Sequence, residues 1–341
     1  MTVQRLASTD GFVVLDLGDG VPAAGIVRLA PKVLVDGATW LARSVTYRFA
    51  VFEQQRGGAS AGINARDDVE AALAAAVDEL SPRVADGSLV LDAGKGVPPA
   101  AVEAWRGVDP RPAVARDAAD VLLARSVAAS AAWAGDLEGR TVAIEGFDGN
   151  GPALVAELER RGARVVTVAG AQGAATRPEG FSAVEVAAAW GEHGPGFAAV
   201  LTADPGPAWA ALAAEVDLLL AGSKAGVIDH TNAGRVAAAT IVPTGPVPLT
   251  AKALAVLRAA GRTVLPDFVS TAGPSLAAWP PAGHTVPGDL DAAVAVVDAA
   301  VAAVLDDVAS AADGPLLGAC ARAEAFLRTW QETLPFGRPL A

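Results

Sequence analysis

The stretch Thr141-Val-Ala-Ile-Glu-Gly-Phe-Asp-Gly-Asn-Gly-Pro-Ala-Leu-Val-Ala-Glu-Leu158 decides the fold of this chain. It predicts a buried strand, a glycine turn and the first turns of a helix. A second apolar run, Arg164 to Val168, follows the helix. Such a strand–helix–strand unit is the framework of dinucleotide-binding domains. The sequence therefore predicts an α/β domain of the Rossmann type, with a parallel, doubly wound sheet.

The glycine turn departs from the usual G-x-G-x-x-G pattern, because Asp148 occupies the place of the middle glycine. That glycine lets a pyrophosphate approach bare backbone, whereas a carboxylate fills the space and repels the phosphates. Asp148 is then an acid that stabilises the N-terminus of the helix in place of a phosphate. In the alternative, the turn is re-registered as G-x-x-G-x-G, Gly149 serves the phosphate and Asp148 turns away.

The bulk composition favours a two-domain globular protein. The chain has 341 residues, of which 52% are hydrophobic and 19% are charged. Its net charge of −12 argues against nucleic acids and anionic membranes as partners. No apolar run approaches the roughly 20 residues of a membrane span, and the N-terminus lacks a signal-peptide core, so we expect a cytoplasmic protein. A single cysteine and three histidines without ligand spacing predict no metal site.

The remaining pattern predicts strands and helices along the whole chain. Gly57–Gly62 is expected to be a small-residue loop, and 98–112 to be rich in loops. The expected strands are Phe12–Leu17, Gly25–Leu29, Leu89–Leu91, Thr141–Glu145, Val165–Val168, Ala198–Leu201, Val216–Leu220, Thr240–Val242 and Thr263–Leu265. The expected helices are Ala38–Val51, Asp68–Leu80, Asp117–Trp133, Pro152–Arg161, Leu290–Val308 and Leu317–Leu334.

Seven separated segments, in order and with matching spacing, carry a resemblance to a known family. They are Leu41–Val51, Gly57–Ile63, Asp92–Gly94, Gly146–Gly151, Val216–Ala221, Ile241–Thr250 and Leu265–Gly273. Together they resemble the glutamate/leucine/phenylalanine/valine dehydrogenase superfamily across nearly the whole chain. The resemblance implies reversible NAD(P)-dependent oxidative deamination of an amino acid to a 2-keto acid.

The family also implies an architecture and an assembly. An N-terminal domain, 1–134 together with about 310–341, would receive the C-terminal helix. A Rossmann domain, 135–309, would bind the dinucleotide, and a cleft would separate the two domains. A homo-oligomer, dimeric or higher, is expected.

Carried over residue by residue, the family's substrate-side positions are altered. Arg48 stands for the lysine that grips the substrate carboxylate and keeps a cation suited to a bidentate contact. Ser60 stands for the catalytic lysine, and Asp92 for the proton-transfer carboxylate. Gly25, Gly57 and Gly58 complete the predicted substrate-binding set.

Three of these substrate-side residues also have a simpler interpretation, in which they play only a structural part. Arg48 could pair with an acid such as Glu53, and Asp92 could be a turn residue. Ser60 could be a filler, since no histidine base lies near it in sequence. Two lysines beside family landmarks, Lys95 and Lys224, could replace the lost charge.

The cofactor-side positions are altered as well. The predicted dinucleotide-binding residues are Gly146, Asp148, Gly149, Asn150, Gly151 and Gly170. Gly170 replaces the acid that holds the adenosine ribose, a loss also typical of NADP-preferring enzymes, for which Arg177 is the nearest candidate phosphate ligand. Pro246, Thr271 and Pro274 replace two asparagines and a glycine of the family pattern.

Two functions follow from these observations. In the first, the chain is a divergent amino-acid dehydrogenase homologue that has lost or changed its NAD-dependent chemistry and binds a small carboxylate-bearing molecule. In the alternative, it is an active NAD(P)-dependent oxidoreductase on the CH–NH2 group of an amino acid or related 2-keto acid. The altered positions favour the first.

Overall fold

The chain divides into two compact units, and the computed structural model describes all of residues 1–341. Unit 1 comprises Met1–Arg111 and Cys320–Pro339, and unit 2 comprises Pro112–Ala319 and Leu340–Ala341. Each unit has its own sheet, of five strands in one and six in the other. The predicted two-domain α/β fold is confirmed.

Unit 1 is built on a mixed sheet with strand order β1-β2-β4-β3-β5. β3 runs parallel to β4 and β5, and β2 runs antiparallel to β1 and β4. Helix α1 covers one face, and helix α2 packs on the other face in a core with the odd-numbered residues of β4. The elements are β1 (Thr2–Arg5), β2 (Gly11–Leu15), β3 (Ala23–Ala30), α1 (Val35–Val51), β4 (Gly57–Asn64), α2 (Val69–Ala85) and β5 (Leu89–Ala93).

The glycine-rich segment Gly57–Gly62 lies within strand β4, so the predicted loop is wrong. A Cβ atom on Gly58 would lie 1.8 Å from the carbonyl oxygen of Ala42 in α1, which only glycine avoids. The Gly58 N–H also donates to Thr46 Oγ1 at 2.9 Å. The small residues thus serve the packing of α1 on β4. The low strand propensity of glycine and alanine hides this strand in the sequence.

The segment Cys320–Pro339 returns to unit 1, as expected for the C-terminal helix. Tyr47 in α1 donates a hydrogen bond to Glu324 at 3.1 Å. Arg43, also in α1, forms a buried ion pair with Asp16 at 2.8 Å. Arg43 Nη1 donates in addition to the carbonyl oxygens of residues 336 and 337. Helix α12 (Gly314–Leu327) ends before the predicted Leu334.

Unit 2 is a doubly wound sheet with strand order β11-β10-β9-β6-β7-β8. Neighbouring strands are parallel except β7 and β8, which are antiparallel. The order reverses between β6 and β9, which makes this the topological switch point. The strands are β6 (Thr141–Glu145), β7 (Arg164–Gly170), β8 (Gly173–Thr176), β9 (Leu218–Ala221), β10 (Thr240–Pro243) and β11 (Thr263–Val264).

The helices of unit 2 include one segment that we expected to be a strand. Ala198–Leu201 forms a helical turn, in which Ala198 and Leu201 are buried at helical spacing. Strand β8 was not expected, because Gly-Ala-Ala-Thr has little strand propensity. The helices are α3 (Ala113–Asp117), α4 (Ala119–Trp133), α5 (Gly151–Arg160), α6 (Ala183–His193), α7 (Ala198–Leu201), α8 (Ala251–Ala259), α9 (Asp267–Ser270), α10 (Gly273–Ala278) and α11 (Leu290–Asp307).

The units differ in their bounds from the expected domains, 1–134 with about 310–341, and 135–309. The first boundary lies between Arg111 and Pro112. The physical reason is helix α4, whose buried Val127 and Ala131 belong to the same hydrophobic core as Val142 in β6. The sequence of an alanine-rich helix does not indicate on which of two sheets the helix packs, so this boundary could not be predicted.

The buried Arg43–Asp16 pair should be a major contributor to the stability of unit 1. Arg43→Met keeps the aliphatic stem but leaves the Asp16 carboxylate, 1% exposed, without its ion pair. Breaking such a pair from one side costs about 3–5 kcal/mol. We expect a loss of that size in the free energy of unfolding, measured by urea denaturation.

Arg106→Met is the matched control, because its ion pair with Glu103 is exposed on both sides. An exposed pair of this kind contributes about 0–1 kcal/mol. Equal losses in the two variants would contradict the structural role of Arg43.

Candidate functional site

The candidate cofactor site lies at the carboxyl end of β6, where the glycine turn begins. Gly146 has φ of +87°, and a Cβ atom there would lie 2.4 Å from the backbone nitrogen of Ser223. The N–H groups of Gly146 and Phe147 both donate to the carbonyl oxygen of Ala169, at 3.0 and 2.8 Å. The first glycine is therefore required by the backbone and by its contact with the β9 loop.

Asp148 lies at the N-terminus of helix α5. One of its carboxylate oxygens accepts from the Asn150 N–H at 3.1 Å, and its carbonyl oxygen accepts from the Gly151 N–H at 2.9 Å. Gly149 is exposed and has no atom within 4 Å of a virtual Cβ. These contacts favour Asp148 as the acid of the helix N-terminus over the re-registered turn.

An aromatic cluster fills the space beside Gly170, at the end of β7. Phe147 stacks on Phe197 with ring centroids 4.6 Å apart, and both contact Trp190. A Cβ atom on Gly170 would lie 2.9 Å from the Phe197 ring, and one on Gly151 would lie 2.4 Å from the Phe147 ring. Both glycines therefore make room for aromatic side chains of the protein itself.

Glu145 closes the switch point between β6 and β9, and sequence reasoning missed it. Its buried carboxylate accepts from the N–H groups of Gly222 and Ser223 at 3.1 and 3.2 Å, and from the Ser223 hydroxyl. The available signal was an acid at the last position of a buried strand, because such a side chain must find donors nearby.

Arg177, the candidate ligand for an NADP phosphate, and Thr271 both bond within the chain, whereas the two candidate lysines lie at the surface. Arg177 pairs with Glu185 at 2.8 Å and stacks on Phe181. Thr271 Oγ1 donates to the Asp267 carbonyl oxygen at 2.7 Å. Lys224 is exposed, as is Lys95 in unit 1.

The residues present do not fit a dinucleotide in the usual place. The cavity beside the glycine turn has a volume of about 40 Å³, whereas small-molecule sites occupy about 300–1,000 Å³. Its lining includes Leu123, Val127, Phe147, Asp148, Asn150 and Thr244.

In unit 1, Ser60 and Asp92 lie in one cross-strand row. Both are register partners of Ile26, on β4 and β5 respectively, so they share one sheet face about 10 Å apart. Ser60 is fully buried, and its Oγ has no hydrogen-bond partner. It shares the face of Gly58, against which α1 packs.

Asp92 is held by a buried arginine. Arg111 donates to both Asp92 oxygens at 2.9 and 2.6 Å, and also to Asp109. Burial alone would lower the pKa of Arg111, but hydrogen bonds and charges from the two aspartates outweigh it and raise the pKa.

The other predicted substrate-side residues are dispersed around β4. Arg48 is half-buried in the last turn of α1, roughly 200° around the helix from Thr46, which contacts β4. A Cβ atom on Gly25 would lie 1.8 Å from the Ala59 carbonyl oxygen, and one on Gly57 would contact Leu17. These glycines make close backbone and side-chain contacts within unit 1.

Two further structural features concern membranes and metal ions. None of its helices combines the length and apolarity needed to cross a bilayer. No three His, Cys, Asp or Glu side chains converge in a way that could hold a metal ion.

Comparisons with known proteins point to one family. The family model described as Glutamate/Leucine/Phenylalanine/Valine dehydrogenase matches residues 119–276. The NADP-specific glutamate dehydrogenase A1 of Halobacterium salinarum is 33% identical over 138 residues, which are 40% of this chain and 33% of that protein. The match thus spans about a third of that relative's length.

Solved structures extend the likeness to the whole chain. The hetero-hexameric glutamate dehydrogenase of Thermus thermophilus, in a Leu-bound form, is 26% identical with a TM-score of 0.76, covering 98% of this chain and 89% of that one. L-tryptophan dehydrogenase from Nostoc punctiforme has a TM-score of 0.64 at 16% identity, with 98% and 97% covered, and shows the fold alone.

Removing the Ser60 hydroxyl should cost no stability. Because Oγ is buried without a partner, Ser60→Ala deletes an unsatisfied polar group. We expect a free energy of unfolding that is unchanged or higher by about 1 kcal/mol in urea denaturation. Thr46→Val, at the same α1–β4 contact, leaves the Gly58 N–H without its acceptor and should cost about 1–3 kcal/mol. A comparable loss in Ser60→Ala would show that its hydroxyl is bonded.

The charge of Asp148 should on balance oppose folding, because its desolvation outweighs the hydrogen bond that it accepts at the start of α5. Desolvation is the main cause that raises the pKa of Asp148; the Asn150 N–H opposes it and Asp120 adds to it. Since the pKa is higher in the folded chain, the penalty is complete above that pKa and disappears as pH falls below the unfolded value. Asp148→Asn should therefore raise the Tm at neutral pH, by an amount that shrinks toward acid pH.

Asp229→Asn is a control for which we expect a change in Tm in the opposite direction. Hydrogen bonds from Thr231 lower the pKa of Asp229, so neutralising this residue should lower the Tm at neutral pH. A decrease in Tm for both variants, measured by circular dichroism across a pH series, would contradict the assignment for Asp148.

Proposed function

The chain belongs to the glutamate/leucine/phenylalanine/valine dehydrogenase superfamily, and on that premise we propose that it binds a small amino or keto acid without oxidising it. The family is NAD(P)-dependent, and its reaction is oxidative deamination. The proposed member has kept the fold and a carboxylate anchor, and it has lost the catalytic groups.

The observation that carries the proposal is the state of Ser60. At the position of the family's catalytic lysine, this chain places a hydroxyl that is fully buried and bonded to nothing. A serine nucleophile needs a base within hydrogen-bond reach, and Ser60 has none. Without a cation or an activated nucleophile, this position supplies no catalysis.

The pairing of Asp92 supports the same conclusion. A general base must accept a proton from the substrate, and its acceptor oxygens must reach that proton. Both oxygens of Asp92 already accept from Arg111, which Asp109 holds in place from the other side. The ion pair thus engages both oxygens of Asp92 within unit 1, while its side chain stays 58% exposed.

Arg48 is the proposed anchor for the ligand carboxylate. It keeps a guanidinium where the family has its substrate-binding lysine, and a guanidinium binds carboxylates with two parallel hydrogen bonds. The Leu-bound state and hetero-hexameric assembly of the Thermus thermophilus relative suggest that an amino acid is the ligand and that this chain acts within an oligomer of its own copies or with a paralogue.

The test compares turnover and binding in the same preparation. Wild-type protein should show no NAD- or NADP-dependent turnover with amino acids or 2-keto acids, while calorimetry detects binding of at least one of them. Arg48→Ala should weaken that binding by about tenfold to a hundredfold, because a charged hydrogen bond contributes about 1.5–3 kcal/mol.

Arg66→Ala, which removes an exposed cation of unit 1, is the matched control and should leave binding unchanged. Substrate-dependent reduction of NAD or NADP by the wild type would overturn the proposal. Binding that is insensitive to Arg48→Ala would place the ligand elsewhere.

A further inference from the structure

We infer that unit 2 is closed to dinucleotides because three groups of its own side chains occupy the three parts of the site. Asp148 takes the donors for the pyrophosphate, Glu145 closes the switch-point crevice, and the cluster of Phe147, Trp190 and Phe197 fills the adenosine side. This inference concerns unit 2 and stands independently of the chemistry proposed for unit 1.

The pyrophosphate donors of helix α5 are consumed within the chain. A dinucleotide phosphate uses the free N–H groups of the first helical turn. Here the Asn150 N–H donates to the Asp148 carboxylate, and the Gly151 N–H to the Asp148 carbonyl. Pro152 has no N–H, so within the first helical turn only the Ala153 N–H is left to donate.

The crevice at the switch point is closed by Glu145. Ligands of doubly wound sheets bind outside the carboxyl ends of the strands, where the strand order reverses. At that place the Glu145 carboxylate ties the end of β6 to the backbone of Gly222 and Ser223. Opening the crevice would strip a buried carboxylate of three donors, and an entering phosphate would meet its charge.

The adenosine side is occupied by packed aromatic rings. The acid that binds the ribose would start from residue 170, but a Cβ atom there meets the Phe197 ring at 2.9 Å. Phe147 and Phe197 are 3% and 0% exposed, so adenine cannot stack on either ring without displacing core residues. Relieving one obstacle leaves the others, and Asp148→Gly alone should not restore binding.

The experiment titrates full-length protein with NADH and NADPH, followed by nucleotide fluorescence and by the Tm of the protein. Wild type and Asp148→Gly should show neither saturation nor a Tm shift, because a ligand that does not bind the native state does not stabilise it. The folded double variant Asp148→Gly/Phe197→Ala frees two of the three parts and should show saturable binding, at least about tenfold tighter than the wild-type limit, while Glu145 still keeps it weak.

Phe181→Ala is the matched control in an Asp148→Gly background. Phe181 is a buried phenylalanine of the same core, but its backbone bonds to Val165, near the start of β7 and away from Gly170. Its truncation should give no gain. If Phe197→Ala fails to fold, Phe197→Leu replaces it, because a volume closer to the native one is better tolerated.

Saturable binding of NADH or NADPH by the wild type, or no gain in the folded double variant, would overturn the inference. Wild-type binding without turnover would overturn it and leave the proposed function intact. A folded control that gains as much as the Phe197 variant would show that loosening the core, and not opening the adenosine side, admits the nucleotide.

Discussion

A buried carboxylate at the end of a parallel strand must find hydrogen-bond donors. In unit 2 this requirement determines how the glycine turn after β6 packs against the loop after β9. Glu145 finds its donors at the start of the loop after β9, which draws that loop against the glycine turn. The approach is so close that residue 146 must be glycine with positive φ. The turn then directs Phe147 into the core, and Phe147 in turn requires a glycine at 151. Glycines of the cofactor pattern thus remain for reasons of packing.

The two units share a way of using their polar groups. Asp92 is paired with Arg111, Glu145 with backbone donors and Asp148 with the start of a helix. Of the three, Glu145 is buried, and a buried polar group that is satisfied internally is expensive to redirect toward a ligand. At both sites, acidic side chains that could face a ligand are hydrogen-bonded within the chain instead.

The sequence predicted most of the fold and only the outline of the site. Strands such as β6 and β10 are recognisable because they are short apolar runs bounded by turn residues. β4 and β8 were missed because glycine and alanine carry almost no strand signal, and α7 was misread because four apolar residues fit either element. The altered positions Ser60, Asp148 and Gly170 were visible from the resemblance. The groups that replace them were not, because Trp190 and Phe197 meet Phe147 only in the folded chain.

The contacts of Arg43 bear on how the protein is made. Arg43 holds the carbonyl oxygens of residues 336 and 337, and its bond to residue 336 spans 293 positions in the chain. At a synthesis rate of about 5–20 residues per second, roughly 15–60 s separate the emergence of the two partners from the ribosome. In that interval residues 112–319 of unit 2 are synthesised, whereas unit 1 still lacks residues 320–339. The unit translated first thus stays incomplete until almost the whole chain has been synthesised, and until then the buried Arg43 lacks its two carbonyl acceptors.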